Sequence, residues 1–213
     1  YGGAAGQQNK CYIAACYSNF GTSNTFVGEG AGNTTLTVAS AAGNTGVGKS
    51  VLQTLTTGMQ NVALGWLALQ NATTATNNTA LGFGAQFATT TTHHNCSIGY
   101  RALVANNGTG NVAVGFEAGK TITAGDYNCL LGYNAGSALT VADSSNINIM
   151  NLGTAGDVNT IRLGTACGCA GQQNKNFQAG IYGITPATAA TTTVPLVDGA
   201  GQLGSLGLMT NGQ

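Results

Sequence analysis

The sequence predicts an all-β solenoid, a parallel β-roll or β-helix with rungs of about 17 residues. Three observations predict it. A pattern Asn-x-x-apolar-Gly recurs at Asn24 (NTFVG), Asn44 (NTGVG), Asn61 (NVALG), Asn78 (NTALG), Asn95 (NCSIG), Asn111 (NVAVG) and Asn128 (NCLLG), with weaker copies at Asn146 (NINIM) and Asn159 (NTIRLG). The first seven starts lie 20, 17, 17, 17, 16 and 17 residues apart. That period is too short for helical repeats or propeller blades, which need about 33 to 50 residues. Within each copy, apolar and β-branched side chains alternate every two residues, the period of a strand.

Aligning the copies assigns each position a role. The fourth is always apolar (Val27, Val47, Leu64, Leu81, Ile98, Val114, Leu131), and the second is Thr25, Thr45, Val62, Thr79, Cys96, Val112 or Cys129. Both columns are expected to face one packed interior. The fifth is Gly from Gly28 to Gly132, as required where a strand bends or a second backbone comes close. The eighth is Ala in six copies and Val51 in the other, which suggests a second short strand packed tightly. Between the copies lie Thr-, Asn- and Gly-rich turns such as Asn71 to Asn77 (NATTATN) and Asn106 to Gly110 (NNGTG). Seventeen residues at about 3.3 Å each give a contour near 56 Å, enough for two short strands and two turns. Rungs at about 4.8 Å make seven of them roughly 34 Å tall.

The organisation read from this is a connecting segment over 1–23, the repeat domain over 24–169 and a small β-rich connector over 170–213, with a hairpin expected at Val197-Asp198-Gly199. The ends resemble each other, since GQQNK at Gly6 to Lys10 recurs at Gly171 to Lys175. Such a duplication suits a segment that recurs along a longer fibre. Tyr1 opens on no charged n-region and apolar h-region, so a processed or trimmed start is expected.

Composition narrows the functions. Of 213 residues only 6% are charged, six basic against six acidic, about a quarter of the usual share. Scattered cations and zero net charge remove the electrostatic footprint of nucleic-acid or anionic-membrane binding. No apolar run reaches the roughly 18 residues of a membrane-spanning helix. Two histidines and six carboxylates spread along the whole chain are a poor stock for catalysis, so no enzyme activity and no cofactor are expected.

The motif Asn-x-Ala-apolar-Gly-x-x-Ala, plainest in NVALGWLAL, NTALGFGAQ and NVAVGFEAG, resembles the head repeats of trimeric autotransporter adhesins over about Asn24 to Gly164. The resemblance implies a left-handed β-roll with three chains side by side. The tail from Asn176 to Leu206 (NFQAGIYGIT…VPLVDGAGQLGSL) is similar to segments just upstream of the self-cleaving intramolecular chaperone in phage tail fibres and bacterial fibre proteins.

Several motifs invite chemistry. Gly43 to Ser50 (GNTGVGKS), with Gly43, Gly48, Lys49 and Ser50 at the defining positions, matches the phosphate loop G-x-x-x-x-G-K-S. It also coincides with the second repeat copy, whose register demands a strand and not a helix after Lys49, and the nearest candidate for a magnesium-binding strand end is Asp143. A chance match is expected. Position six reads Glu29, Lys49, then Trp66, Phe83, Tyr100, Phe116 and Tyr133, a ring at every rung. Such a ladder either lies buried between rungs or between chains, or forms an exposed glycan-binding strip.

Cys96 and Cys129 share a column two rungs apart, near 9.6 Å, too far for a disulfide within one chain, and are expected as buried free thiols. Cys11, Cys16, Cys167 and Cys169 flank the duplicated ends and are candidates for disulfides within those segments or between protomers. They lack paired zinc spacing, and no metal is expected. His93-His94 reads as a solvated loop, and the Asp-Gly repeats of calcium-binding rolls are missing. Sequons fall at Asn33, Asn71, Asn77 and Asn107 in loops, and at Asn95 in a strand. Glu29 and Glu117, five rungs apart at roughly 24 Å, cannot form a glycosidase pair, and the spacing of Asp126 does not favour it as a partner for Glu117.

The expected function is a non-enzymatic structural and adhesive part of an extracellular or cell-surface fibre. It is expected to be a homotrimer, with end-to-end filaments conceivable and a host-surface glycan or protein as receptor. The alternatives are a receptor-binding tail fibre on a virion and, further off, an enzyme, either an NTPase at Lys49 or a glycan-cleaving solenoid.

Overall fold

A computed structural model describes residues 23–32 and 41–164, together with the strands at 195–197 and 203–205. The chain divides into two units, 1–173 and 174–213.

The first unit is a parallel β-solenoid. Nine three-residue strands stack in chain order into one sheet: β1 (Thr25–Val27), β2 (Thr45–Val47), β3 (Val62–Leu64), β4 (Thr79–Leu81), β5 (Cys96–Ile98), β6 (Val112–Val114), β7 (Cys129–Leu131), β8 (Ile147–Ile149) and β9 (Ile161–Leu163). All neighbours pair in parallel and in register, Thr45 opposite Val62 and Val62 opposite Thr79. The last copy is shifted from the sequence reading. Ile147 pairs with Ile161, so the rung starts at Thr160 and not at Asn159.

Within β1 to β8 the middle residue is the buried one, whereas the second and fourth positions of the motif point outward; in β9 the middle residue is half-buried. The expectation that columns two and four line the interior is therefore corrected. The interior column is the third: Phe26, Gly46, Ala63, Ala80, Ser97, Ala113 and Leu130. The opposite wall is not a second strand, as expected at position eight, but a chain of turns. Its residues alternate into left-handed backbone at positions seven and nine, as at Leu67 (φ 63) and Leu69 (φ 49). Each such leucine costs roughly 1–2 kcal/mol, a strain that persists because the stack over-determines it. Ala68, between them, is fully buried.

The interior is so thin that columns three and nine fill one space. Gly46 stands with Leu52, Ala63 with Leu69, Phe26 with Gly32 and Leu130 with Gly136. A Cβ on Gly32 would sit 2.6 Å from the Phe26 ring, and one on Gly136 2.7 Å from a Leu130 methyl. Large on one wall demands small on the other. The core is also split in two, one cluster ending at Ala85 and the next beginning at Ala102.

The motif asparagines form the spine. Asn61 Nδ2 donates to Asn44 Oδ1 at 2.9 Å and to the Ala75 carbonyl at 2.7 Å, while its Oδ1 accepts the Asn78 amide at 3.0 Å. Amide-to-Oδ1 bonds of this kind run from Asn44 on Asn24 up to Thr160 on Asn146. The side chains are almost fully buried, so each ties the sheet to the turn wall where water cannot. The column-five glycines behave as expected. Gly65 has φ 128, and a Cβ there would lie 2.6 Å from the Gly82 carbonyl.

The upper end turns polar. Asn148 takes the interior position of β8, and Arg162 that of β9, where Nε and Nη2 donate to Asp157 at 2.6 and 2.8 Å. In the second unit β10 (Pro195–Val197) pairs antiparallel with β11 (Leu203–Ser205), Val197 opposite Leu203. That is the hairpin expected near Val197, while Asp198 and Gly199 lie outside the described residues.

Candidate functional site

The most distinctive surface is built by three outward columns. Columns two and four project from the sheet because strand alternation puts them on the face away from the small-residue interior. Val62 is 47% exposed and Leu64 45%, and the same outward apolar character recurs from Val47 to Leu163. Column six stands just past the column-five glycines. It opens with a salt bridge, Lys49 Nζ to Glu29 Oε2 at 3.0 Å with both side chains exposed, then continues as rings.

Trp66 meets Phe83 edge-on at 84° and 5.2 Å between centroids. Phe83, Tyr100, Phe116 and Tyr133 then stack within 9–11° of parallel at 5.0 to 5.3 Å. The ladder is real and, within one chain, not buried: Trp66 is 52% and Tyr133 64% exposed. A sugar that stacks on an aromatic needs a free ring face. Here the faces of Tyr100 and Phe116 are turned on their neighbours and mainly edges look outward.

The outward turn of column two also corrects the thiols. Cys96 is half-exposed and Cys129 exposed, both free, two strands apart as the period requires. Cys11, Cys16, Cys167 and Cys169 lie outside the described residues.

In the GNTGVGKS segment four of the amides that would face a phosphate are engaged within the stack. Asn44 N–H donates to Asn24 Oδ1, Thr45 N–H to the Asn61 carbonyl, Gly48 N–H to Val27 and Ser50 N–H to Glu29. Turns follow Lys49, neither the helix of a phosphate loop nor the strand expected from the register. Lys49 itself faces Glu29.

The carboxylates among the described residues are likewise engaged. Glu117 Oε2 accepts Lys120 Nζ at 2.7 Å, and Asp126 Oδ1 accepts the Thr109 amide at 2.6 Å. Buried Asp143 accepts the Thr140 amide and hydroxyl and the Gly156 amide. Asp157 is held below its ordinary carboxylate range chiefly by the hydrogen bond from Arg162, against the opposing effect of burial. Arg162 is raised by the same bond. Among the described residues no three of His, Cys, Asp or Glu gather as a metal cluster, and no helix is long and apolar enough to cross a membrane.

His94 is exposed and its Nε2 lies 3.3 Å from Asn77 Nδ2, while His93 is half-buried. Asn77 and Asn107 are exposed and Asn71 half-buried, whereas Asn33 lies outside the described residues. The sequon at Asn95 precedes β5 instead of lying within it. Its side chain donates inward to the Gly108 carbonyl, out of reach of glycosylation.

The residue that sequence reasoning passed over is the motif asparagine. Its signal was its recurrence at every rung start, a constancy that a turn alone does not require. No protein-family model, no curated protein and no solved structure matches the chain.

Proposed function

We propose that this chain is a non-enzymatic segment of an extracellular or surface fibre, in which copies of the roll pack side by side as a parallel homotrimer. The observation that carries this reading is the outward apolar face of columns two, four and six. Monomeric proteins rarely expose contiguous apolar area of this kind. A stable interface takes roughly 20–30 residues a side, which is what columns two and four over nine strands supply together with the rings of column six. The neutral, charge-poor face adds no repulsion between copies, and closed symmetry is the common way to cover such a patch. The stacked rings fit an interface better than a sugar platform, since edges interdigitate across a seam while their faces stay paired.

The resemblance to trimeric adhesin heads supplies the number three. The turn wall opposite the sheet, with its Thr- and Asn-rich loops, is left to present a repeated surface for attachment to a glycan or protein receptor. Light-scattering mass of the purified full chain tests the assembly: a mass of three chains supports it, and a stable monomer overturns it.

A further inference from the structure

Position seven on the turn wall reads Leu67, Gly84 and Arg101 on rungs three to five, half-buried, buried and exposed in turn. The missing side chain at Gly84 leaves a notch one rung high. Leu67, Phe83, Phe87, Arg101 and Val104 line it, and the cleft holds about 170 Å³. Its lining is apolar apart from Arg101. Among the described residues Lys49, Lys120 and Arg162 each face a carboxylate within 3.0 Å. Arg101 is the described cation that faces none, and it is exposed at the rim.

We propose that this notch is a binding site for an aryl carboxylate, the ring between Leu67 and Arg101 and the carboxylate on the Arg101 guanidinium. The size fits, since a cavity of about 150 Å³ in another protein holds benzene. The charge fits, because a guanidinium pairs a carboxylate through two parallel hydrogen bonds. The walls select against a sugar acid, whose hydroxyls would find no partner there and would be desolvated at a cost. Every lining residue belongs to one chain, and Phe83 is the one the notch shares with the face proposed for association.

The test is ligand-observed fluorine NMR of 4-fluorobenzoate with the full chain at millimolar ligand. The expected result is a broadened resonance that unlabelled benzoate sharpens, with 4-fluorobenzyl alcohol bound about tenfold more weakly or not at all. Arg101→Glu, which copies the residue of the same column at Glu117, should weaken binding by at least about tenfold. Gly84→Asn, which tolerates left-handed backbone and fills the notch, should abolish it. If Gly84→Asn lowers the melting temperature, Phe87→Ala replaces it, and loss of binding is again expected. A sharp 4-fluorobenzoate signal, binding unchanged in Arg101→Glu, or displacement by glucuronate as effective as by benzoate overturns the proposal.

Discussion

Inside the roll, Gln86 Nε2 donates to Ser97 Oγ at 2.9 Å across adjacent rungs, and this bond lies where the apolar core is divided in two. Gln86 takes the place of Leu69 one rung below, and Ser97 that of Ala80. The layer is incompletely satisfied, because Gln86 Oε1 has no partner. Such a layer is costly to break on one side and cheap to remove on both. Ser97→Ala alone should destabilise by about 1–2 kcal/mol, leaving the Gln86 amide short of an acceptor. Gln86→Leu combined with Ser97→Ala reproduces the Leu69 and Ala80 arrangement one rung below and should be neutral or stabilising. Thermal melts of both variants check this, and a double variant less stable than Ser97→Ala would refute it.

The asparagine spine predicts a larger effect. Asn61→Ala strands the Asn78 amide and the Ala75 carbonyl in a place water does not reach, and takes one of its two donors from Asn44 Oδ1, which keeps the Asn61 amide. Each unmet buried group costs about 1–3 kcal/mol, so a loss of roughly 3–5 kcal/mol is expected. Asn107→Ala, exposed, outside the spine and in ordinary backbone, should change stability by less than about 0.5 kcal/mol. Chemical denaturation of the pair measures the contrast, and equal effects would mean the spine is not a structural element.

The period, the strand at each motif and the close approach at column five were legible because they depend only on spacing and on glycine. Which face is inside was not. Alternation defines two faces, and the more apolar one, with Val62, Leu64 and Leu81, pointed outward, while Ala63 and Ala80 lie inside. Hydrophobicity misleads here because the roll is one side chain thick, so sterics reserve the interior for small residues. The turn wall was equally hidden, since nothing in Leu67 or Leu69 advertises a left-handed backbone.

The shared interior gives a compensation test at the second wall. Leu130→Ala empties a fully buried site and should cost about 2–5 kcal/mol. Adding Gly136→Leu refills the same space from column nine, as Leu69 does against Ala63. The pair should recover roughly half of the loss, the remainder including the ~1 kcal/mol of a leucine in left-handed backbone. A double-mutant cycle with no coupling would show that the two columns do not share one cavity.

The upper end should be acid-sensitive. The folded value of Asp157 lies below the ordinary 3.8, so its bond to Arg162 contributes fully above that value. The contribution fades as pH falls through the lowered folded value, because the unfolded carboxyl takes up its proton first. Amide exchange at Ile161–Leu163 should therefore accelerate below about pH 3.8 beyond the change at Val62–Leu64, after correction for intrinsic rates. Asp157→Asn should abolish the difference by removing the titrating group.

The face assignment and the association proposal meet in neighbouring residues of one strand. Ala63 is 1% exposed and Leu64 45%. A carboxylate at the first position enters the core without a partner, and Ala63→Glu should leave no folded chain. A carboxylate at the second enters water in a single chain, so Leu64→Glu should fold with a stability change within about 0.5 kcal/mol. In a parallel assembly, however, the same charge from each copy converges on the seam. Leu64→Glu with Leu131→Glu, four strands away, should therefore reduce the light-scattering mass to one chain while circular dichroism is unchanged. A folded variant that keeps the parent mass would move the interface elsewhere, and an unfolded Leu64→Glu would return column four to the interior.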